Sequence, residues 1–242
     1  MALDFNFSAP WLCAALDQPD QLINLRLAEK VAGEVDMLKV NDDAVDGEGL
    51  RALVTPFLEF GLPLFVDMKM LKGARTMARR AQKAAELGVA FINAYALADR
   101  LLRGPVQALV GTSTRLLAVT VLTHHDDAYC RKYHGRSLED TVRLLSETAV
   151  EFRCHGIILP APTLHVVADL DIEIRATPGI RPEWHPRKAN DQESTSTPAE
   201  AVRGGSKILI VGGPIAEYPD GPAAGARRIR EEMMEAWARL GR

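Results

Sequence analysis

Short apolar segments alternate with longer amphipathic segments along the whole chain, and this order constrains the fold more than any other feature of the sequence. Each apolar segment predicts a buried strand, and each amphipathic segment predicts a helix. The strand and helix pairs are, in chain order, Leu12–Leu16 and Pro19–Ala32, Met37–Val40 and Gly47–Phe60, Leu64–Met68 and Ala74–Leu87, Ala90–Ala94 and Leu97–Val110, Leu116–Leu122 and Leu138–Phe152, Gly156–Leu159 and Thr163–Ala168, Ile172–Ala176 and Pro198–Arg203, and Ile208–Val211 and Ala224–Leu240. Eight such pairs in 242 residues predict an α/β fold, a (β/α)8 TIM barrel, with an open doubly wound sheet as the alternative. No domain boundary is visible, so we expect one domain over residues 1–242.

Charge and composition give no sign of a nucleic acid or membrane partner. The net charge of -3 gives no reason to expect a nucleic acid partner. No apolar run reaches the length of a membrane span, and the N-terminus has no signal-peptide pattern. The three cysteines are widely spaced, which is typical of reduced thiols. We therefore expect a cytoplasmic protein without a membrane partner.

Four charged residues fall at or near the ends of the first three predicted strands. Asp17 ends the first strand, Lys39 lies in the second, and Asp67 and Lys69 end the third. Residues i and i+2 of a strand point to the same side, and the carboxyl ends of barrel strands converge on one mouth. The alternative is a set of ion pairs that holds the rim, but buried ion pairs often give no net stability over apolar packing. The pattern therefore favours a functional site at this mouth.

At these positions the chain resembles the orotidine 5'-monophosphate decarboxylase family. The resemblance covers nearly the whole length, and its segments occur in the order of the family. These segments are Ala15-Leu-Asp17, Leu38-Lys-Val40, Asp67-x-Lys69, Val119-Thr-Val-Leu-Thr123, Thr177-Pro-Gly-Ile-Arg-Pro182, Asp191-Gln192, Thr197-Pro-Ala-Glu-Ala201 and Val211-Gly-x-Pro-Ile215. The resemblance implies a barrel that acts as a lyase, needs no metal or organic cofactor, and forms a homodimer with active sites near the interface.

The resemblance also implies roles for individual residues. Lys69 would deliver a proton to the carbon that loses carbon dioxide, Asp67 would hold that ammonium and press on the substrate carboxylate, and Lys39 would orient the network. Lys72 takes the last place of the charged array, and Asp17 and Thr76 match contacts to the ribose or phosphate. The remaining substrate-binding candidates are Thr123, His124, Pro178, Gly179, Arg181, Gln192, Gly212 and Gly213.

Two positions depart from the family pattern in charge. Lys72 stands where the family has a second aspartate, which in the family reaches into the site of the partner subunit. Gly213 stands where the family has an arginine that grips the 5'-phosphate, so phosphate binding is expected to weaken at least about tenfold. Arg181, or Arg187 and Lys188, are candidates to substitute for it. A substrate without a phosphate is equally compatible with the sequence.

Two long connections follow the fifth and seventh strands, at Thr123–Arg136 and Pro178–Thr197, and we expect them to be lids or binding loops. His124 replaces a small serine of the family and Tyr95 replaces a histidine. The first connection is rich in His and Asp and contains Cys130, but its spacing matches no tetrahedral metal motif. We expect no metal there.

Three functional hypotheses follow. The first is decarboxylation of orotidine 5'-phosphate or of a related pyrimidine nucleotide or nucleoside acid, through a carbanion stabilised electrostatically. The second keeps the barrel and runs an isomerase, hydrolase or aldol-type reaction on another anionic substrate. The third is a non-catalytic relative that binds a ligand.

Overall fold

Eight parallel strands close into a barrel in the order β1 to β8, and each strand pairs with its neighbours in sequence. The computed structural model describes residue 5 and residues 7–42, 49–186 and 194–241. The strands are β1 Trp11–Leu16, β2 Met37–Asn41, β3 Leu64–Met70, β4 Phe91–Tyr95, β5 Arg115–Val119, β6 Gly156–Ile158, β7 Ile174–Thr177 and β8 Ile208–Val211. β1 pairs with β8 through Trp11 and Ile208, which completes the closure. The predicted TIM barrel is confirmed, and the open sheet is excluded.

Helices follow the strands and cover the outside of the barrel. They are α1 Gln21–Val31, α2 Gly49–Leu58, α3 Ala74–Glu86, α4 Arg103–Ala108, α5 Asp127–His134, α6 Leu138–Glu151, α7 Pro198–Arg203, α8 Gly213–Ala216 and α9 Pro222–Ala238, with 3-10 turns at Ala96–Leu102 and Ala161–Val167. No helix among the described ranges is both long and apolar enough to cross a membrane.

Several predicted elements differ from the structure, most of them by one or two residues at an end. The fourth helix is split into a 3-10 turn and α4, because Asp99 adopts a left-handed backbone with φ of 51°. The fifth strand ends at Val119 instead of Leu122. The connection Thr123–Arg136 contains the helix α5, which begins at an N-cap where Asp126 accepts a hydrogen bond from the N–H of Tyr129. This helix was not predicted from the sequence, and the expected role of the connection as a lid or binding loop stays a prediction.

The strands alternate between two layers of apolar packing. Cys13 and Ala15 of β1 point into the barrel with Phe65 and Phe91, whereas Leu12 packs with the helices outside. The end of the barrel at the amino termini of the strands, called the lower end below, is covered by an aromatic contact. The rings of Phe5 and Phe91 lie 4.7 Å apart there. Since this end is filled, a ligand can enter the barrel from the carboxyl ends of the strands.

The imidazole of His155 lies at the lower end of the barrel, between β5 and β6. Its Nδ1 accepts a hydrogen bond from the backbone N–H of Leu116 at 3.1 Å. Burial, and secondly the nearby Arg115, lower the pKa of His155 from 6.5 to about 4. Between these two pH values the unfolded chain binds a proton that the folded chain does not bind. The free energy of unfolding therefore falls as the pH drops through this interval.

We expect His155→Gln to reduce this loss of stability in acid. Between pH 7.5 and pH 4.5 the wild type should lose on the order of 2 kcal/mol through this histidine, allowing for its partial exposure. Urea unfolding at the two pH values measures the loss. As a control, His165→Gln removes an exposed histidine and should retain the wild-type loss. Equal losses in His155→Gln and the wild type would contradict the assignment.

Candidate active site

A cavity of about 320 Å³ opens at the carboxyl ends of the strands. This volume is within the range of small-molecule sites, which begins at about 300 Å³. Its walls combine an apolar part with a polar part. The lining residues are Ala15, Asp17, Lys39, Asn41, Phe65, Asp67, Lys69, Asn93, Val119, Val121, Leu122, Thr123, His124, Ile158, Pro178, Gly179, Arg181, Ile210, Gly212 and Gly213.

Lys39 is the centre of the polar part. Its side chain is only 5% exposed, and its Nζ donates hydrogen bonds to Oδ1 of Asp17 and to Oδ1 of Asn41, both at 2.7 Å. A third hydrogen bond reaches Oδ2 of Asp67 at 3.2 Å. An ammonium that is withdrawn from water is tolerated only when it is paired in this way. The Nζ atom of Lys39 on β2 thus links the residue that follows β1, Asp17, to Asp67 on β3.

Asp67 connects this buried ammonium to an exposed one. Its Oδ2 also accepts a hydrogen bond from Nζ of Lys69 at 2.7 Å. The Lys69 side chain is 40% exposed, whereas the Asp67 side chain is 10% exposed. The charges therefore form a chain from the buried Lys39 through Asp67 to Lys69 at the cavity surface.

Lys69 stands on an irregular part of β3. Its φ is +40°, a left-handed conformation that is uncommon for a residue other than glycine. The pairing of β3 with β4 shifts register between Val66 and Met70, so the strand bulges here. Asn93 of β4 fills the bulge: its Oδ1 accepts the Lys69 N–H at 2.7 Å, and its Nδ2 donates to Oδ1 of Asp67 at 2.8 Å. One amide thus fixes both the strained backbone and the carboxylate.

The surrounding charges keep both Lys39 and Asp67 ionised. Burial by itself would lower the pKa of Lys39, but the carboxylates of Asp67 and Asp17 outweigh it, so the pKa is raised. Burial opposes ionisation of Asp67 in the same way, yet Lys39, Lys69 and the hydrogen bond from Asn93 lower its pKa overall. Asp67 is therefore an anion at neutral pH, held between two lysines.

Most of the residues predicted to bind substrate border the same cavity. Thr123 and His124 follow β5, and the backbone carbonyl of Thr123 accepts the N–H of Ser194 at 3.0 Å, which ties the two long connections together. Arg181 is positioned through its N–H, which donates to the Ser196 carbonyl at 2.8 Å. The other predicted residues on the wall are Asp17, Pro178, Gly179, Gly212 and Gly213.

Two of the predicted residues that the structure describes do not border this cavity. Lys72 and Thr76 lie in a separate, shallow groove on the outer side of α3, together with Arg79, Arg80 and Lys83. Gln192 lies outside the described residues, as do Arg187 and Lys188. The charged array within the described part of one chain is therefore Asp17, Lys39, Asp67 and Lys69.

The histidine-rich connection is organised by stacking. The rings of His125 and Tyr129 are parallel and 3.6 Å apart, and Tyr129 contacts Tyr133.

Burial raises the pKa of Tyr95 at the end of β4, and Asp67 raises it further. Within the described ranges, no group of three or more His, Cys, Asp or Glu side chains is placed to hold a metal ion.

Sequence reasoning did not identify Asn41 and Asn93. Asn41 follows Lys39 by two residues on β2 and supplies one of the three acceptors of its ammonium. Asn93 is a polar residue inside an otherwise apolar strand and is only 1% exposed. The available signals were a polar residue inside an apolar segment, Asn93, and one directly after such a segment, Asn41.

The fold and the site together define a class of protein: a (β/α)8 barrel with an alternating array of lysine and aspartate at its open mouth. A sequence model described as the Orotidine 5'-phosphate decarboxylase / HUMPS family matches residues 10–229. The chain belongs to this family, as the sequence motifs predicted.

Named relatives agree with the family. The orotidine 5'-phosphate decarboxylase of Alkalilimnicola ehrlichii is 33% identical over 228 residues, which cover 92% of this chain and 95% of the relative. That of Anaeromyxobacter dehalogenans is 35% identical over 225 residues, covering 90% and 96%. A crystal structure of orotidine 5'-phosphate decarboxylase from Lactobacillus acidophilus has a TM-score of 0.78 at 24% identity, covering 93% of this chain and 99% of that one, and supports the fold.

Proposed function

We propose that the protein is a carboxy-lyase that removes carbon dioxide from a pyrimidine nucleotide or nucleoside acid. The observation that carries the proposal is the chain of ion pairs from Lys39 through Asp67 to Lys69 at the cavity mouth. The named decarboxylases among the relatives support the same reaction class.

In the proposed reaction, the bond between the ring carbon and the carboxylate breaks, and carbon dioxide leaves. The electron pair stays on the ring carbon as a carbanion. Lys69 then transfers a proton from Nζ to this carbon, and the resulting amine recovers a proton from water. The ammonium of Lys69 also stabilises the negative charge that develops on the carbon before the transfer. In this proposal, Lys69 therefore supplies both the electrostatic stabilisation of the carbanion and the proton.

Asp67 has two tasks in this proposal. It aligns the Lys69 ammonium through a 2.7 Å contact, and its negative charge opposes the substrate carboxylate in the ground state. That repulsion disappears when neutral carbon dioxide leaves, so the interaction favours the transition state over the bound substrate. Lys39 and Asn93 hold the carboxylate in place, because each contacts one of its two oxygens.

An assay of decarboxylation tests this function. The protein is mixed separately with orotidine 5'-phosphate and with orotidine, and absorbance and released carbon dioxide are followed. Conversion of either compound to the uracil derivative with equal release of carbon dioxide supports the proposal. Binding without conversion would instead favour a non-catalytic relative. Absence of both binding and conversion would favour other chemistry on another anion, in which His124 at the cavity wall is a candidate acid or base.

We also propose a cytoplasmic homodimer. Lys72 and Thr76 lie outside the cavity of their own chain, and the preceding Leu71 is 55% exposed. A second copy that covers this surface would bury Leu71 and bring Lys72 towards the partner's cavity.

Light scattering after size-exclusion chromatography should give twice the mass of one chain. Leu71→Asp should shift the protein towards the monomer, because an unpaired charge would be buried in the interface. Leu240→Asp, at an exposed leucine near the end of the chain, is the control and should leave the mass unchanged. A monomeric wild type with full activity would contradict the proposal.

A further inference from the structure

Three side chains outside the barrel mouth, Trp184, Tyr218 and Arg228, form a cluster that we call the clamp. The rings of Trp184 and Tyr218 lie edge to face, with their centres 5.0 Å apart. Cζ of Arg228 lies 4.7 Å from the centre of the Trp184 ring, and its Nη1 donates a hydrogen bond to the Tyr218 hydroxyl at 3.1 Å. Edge-to-face rings attract each other, and a cation is attracted to the face of an indole. The three side chains therefore hold one another in place.

The two aromatic residues of the clamp belong to connections that form cavity wall. Trp184 lies on the connection after β7, shortly after Arg181, and Tyr218 lies after β8, shortly after Gly213. Arg181 and Gly213 line the cavity, whereas neither aromatic residue is among the described residues that line it. An effect of the clamp on a ligand must therefore pass through the wall residues that precede it.

The backbone that leads from the cavity wall to the clamp is short and hydrogen-bonded. The N–H of Arg181 donates to the carbonyl of Ser196 at 2.8 Å, and the N–H of Ser196 donates to the carbonyl of Gly179 at 3.2 Å. The N–H of His185 donates to the carbonyl of Pro182 at 3.0 Å and closes a turn. A movement at the clamp is therefore transmitted to the wall.

Helix α9 supports the clamp from the other side. A Cβ atom at Gly225 would lie 2.7 Å from Cβ of Tyr218 and 3.1 Å from the carbonyl oxygen of Pro214, so no side chain fits there. Residues three apart on a helix share a face, which places Arg228 on the same side of α9 as this glycine. The close approach thus brings the guanidinium over the Trp184 ring.

We propose that Trp184 is a positioning residue, and that the clamp holds the connection after β7, with Arg181, in the arrangement that binds the ligand. The inference rests on the proposed function, because it concerns the same cavity. Lys39, Asp67 and Lys69 lie on β2 and β3, whereas the clamp is attached to the connections after β7 and β8. The clamp should therefore affect ligand binding and leave the chemical step unchanged.

Amide hydrogen exchange of the full chain measures whether the clamp holds this connection, and it requires no ligand. In Trp184→Ala, exchange within residues 179–186 and at Ser196 should be at least about tenfold faster than in the wild type, because two attractive contacts are lost. Trp237→Ala is the matched control, since its ring lies 5.6 Å from Nζ of Lys207 near the other end of α9. It should leave exchange in the connection unchanged.

Binding and turnover distinguish positioning from general support of the fold. The probe is whichever of uridine and uridine 5'-monophosphate binds the wild type more tightly in isothermal titration. Trp184→Ala should raise the dissociation constant and KM at least about tenfold and change kcat by less than about threefold. Trp184→Phe retains a ring for Tyr218 and Arg228 and should restore most of the affinity. Trp237→Ala should bind like the wild type.

Arg228→Gln tests the clamp at an exposed position, where the substitution leaves no buried cavity. It should weaken binding about threefold, because the cation over the indole is lost. Combined with Trp184→Ala it should cause no further loss, since both substitutions act on one contact.

Unchanged exchange in the connection of Trp184→Ala, or a dissociation constant within about twofold of the wild type, would overturn the inference and leave the decarboxylase proposal intact. Equal losses in Trp237→Ala would also overturn it, because they would show a general effect of losing an indole. If the wild type binds neither product, the proposed function is wrong, and hydrogen exchange alone decides whether the clamp holds the connection.

Discussion

Lys69→Ala should abolish decarboxylation and leave the fold intact. General acid catalysis by a positioned side chain contributes about 100- to 10,000-fold, and the ammonium adds electrostatic stabilisation of the carbanion, so we expect kcat to fall at least about 1,000-fold. The side chain is 40% exposed, so its removal leaves no buried cavity. Alanine at this position meets the same left-handed backbone as lysine, and circular dichroism and uridine binding should show a folded protein.

Two further variants separate the proton from the charge. Lys69→Arg retains the positive charge, but a guanidinium does not give up its proton at neutral pH, so this variant should be inactive as well. Lys30→Ala removes an exposed lysine from α1 and should retain full activity. Substantial turnover by Lys69→Ala would show that another group donates the proton.

Asp67→Asn should have the largest combined effect on stability and activity. The substitution keeps the shape but removes the negative charge between the ammonium groups of Lys39 and Lys69. Breaking a buried ion pair by removing one partner costs about 3–5 kcal/mol, and Lys39 retains Asp17 and Asn41, so we expect a loss of about 3 kcal/mol in urea unfolding at pH 7. Activity should fall by at least about 100-fold, because Lys69 loses its alignment.

The pH dependence of this loss follows from the pKa. The pKa of Asp67 is lower in the folded chain than in the unfolded chain, so its stabilising effect is complete above the unfolded value of about 4. The effect is lost as the pH falls through the lower, folded value. The difference in stability between wild type and Asp67→Asn should therefore shrink on acidification. Asp171→Asn, at an exposed position, is the control and should unfold like the wild type at neutral pH. If Asp67→Asn leaves the free energy of unfolding unchanged at pH 7, the ion pairs of Asp67 do not stabilise the fold.

The sequence predicts the barrel and the convergence of Asp17, Lys39, Asp67 and Lys69 because both depend on local periodicity. Strand alternation places every second side chain on one face, and parallel strands bring their carboxyl ends together. These rules need no knowledge of distant contacts. The structure places the four charges around one cavity.

The details that the sequence does not predict depend on contacts between elements. The bulge in β3 and the left-handed backbone of Lys69 require Asn93 on the neighbouring strand. The position of Lys72 outside the cavity of its own chain depends on where α3 packs, which periodicity does not specify.

Decarboxylation in deuterium oxide, followed by mass spectrometry of the product, tests the chemistry most directly. The proposed route breaks one carbon–carbon bond and delivers one exchangeable proton from Lys69 to the same carbon. We expect the wild type, and not Lys69→Ala, to form a uracil product that has lost carbon dioxide and carries one deuterium on that carbon. Recovery of unchanged substrate from the wild type, with either orotidine or its 5'-phosphate, would contradict it.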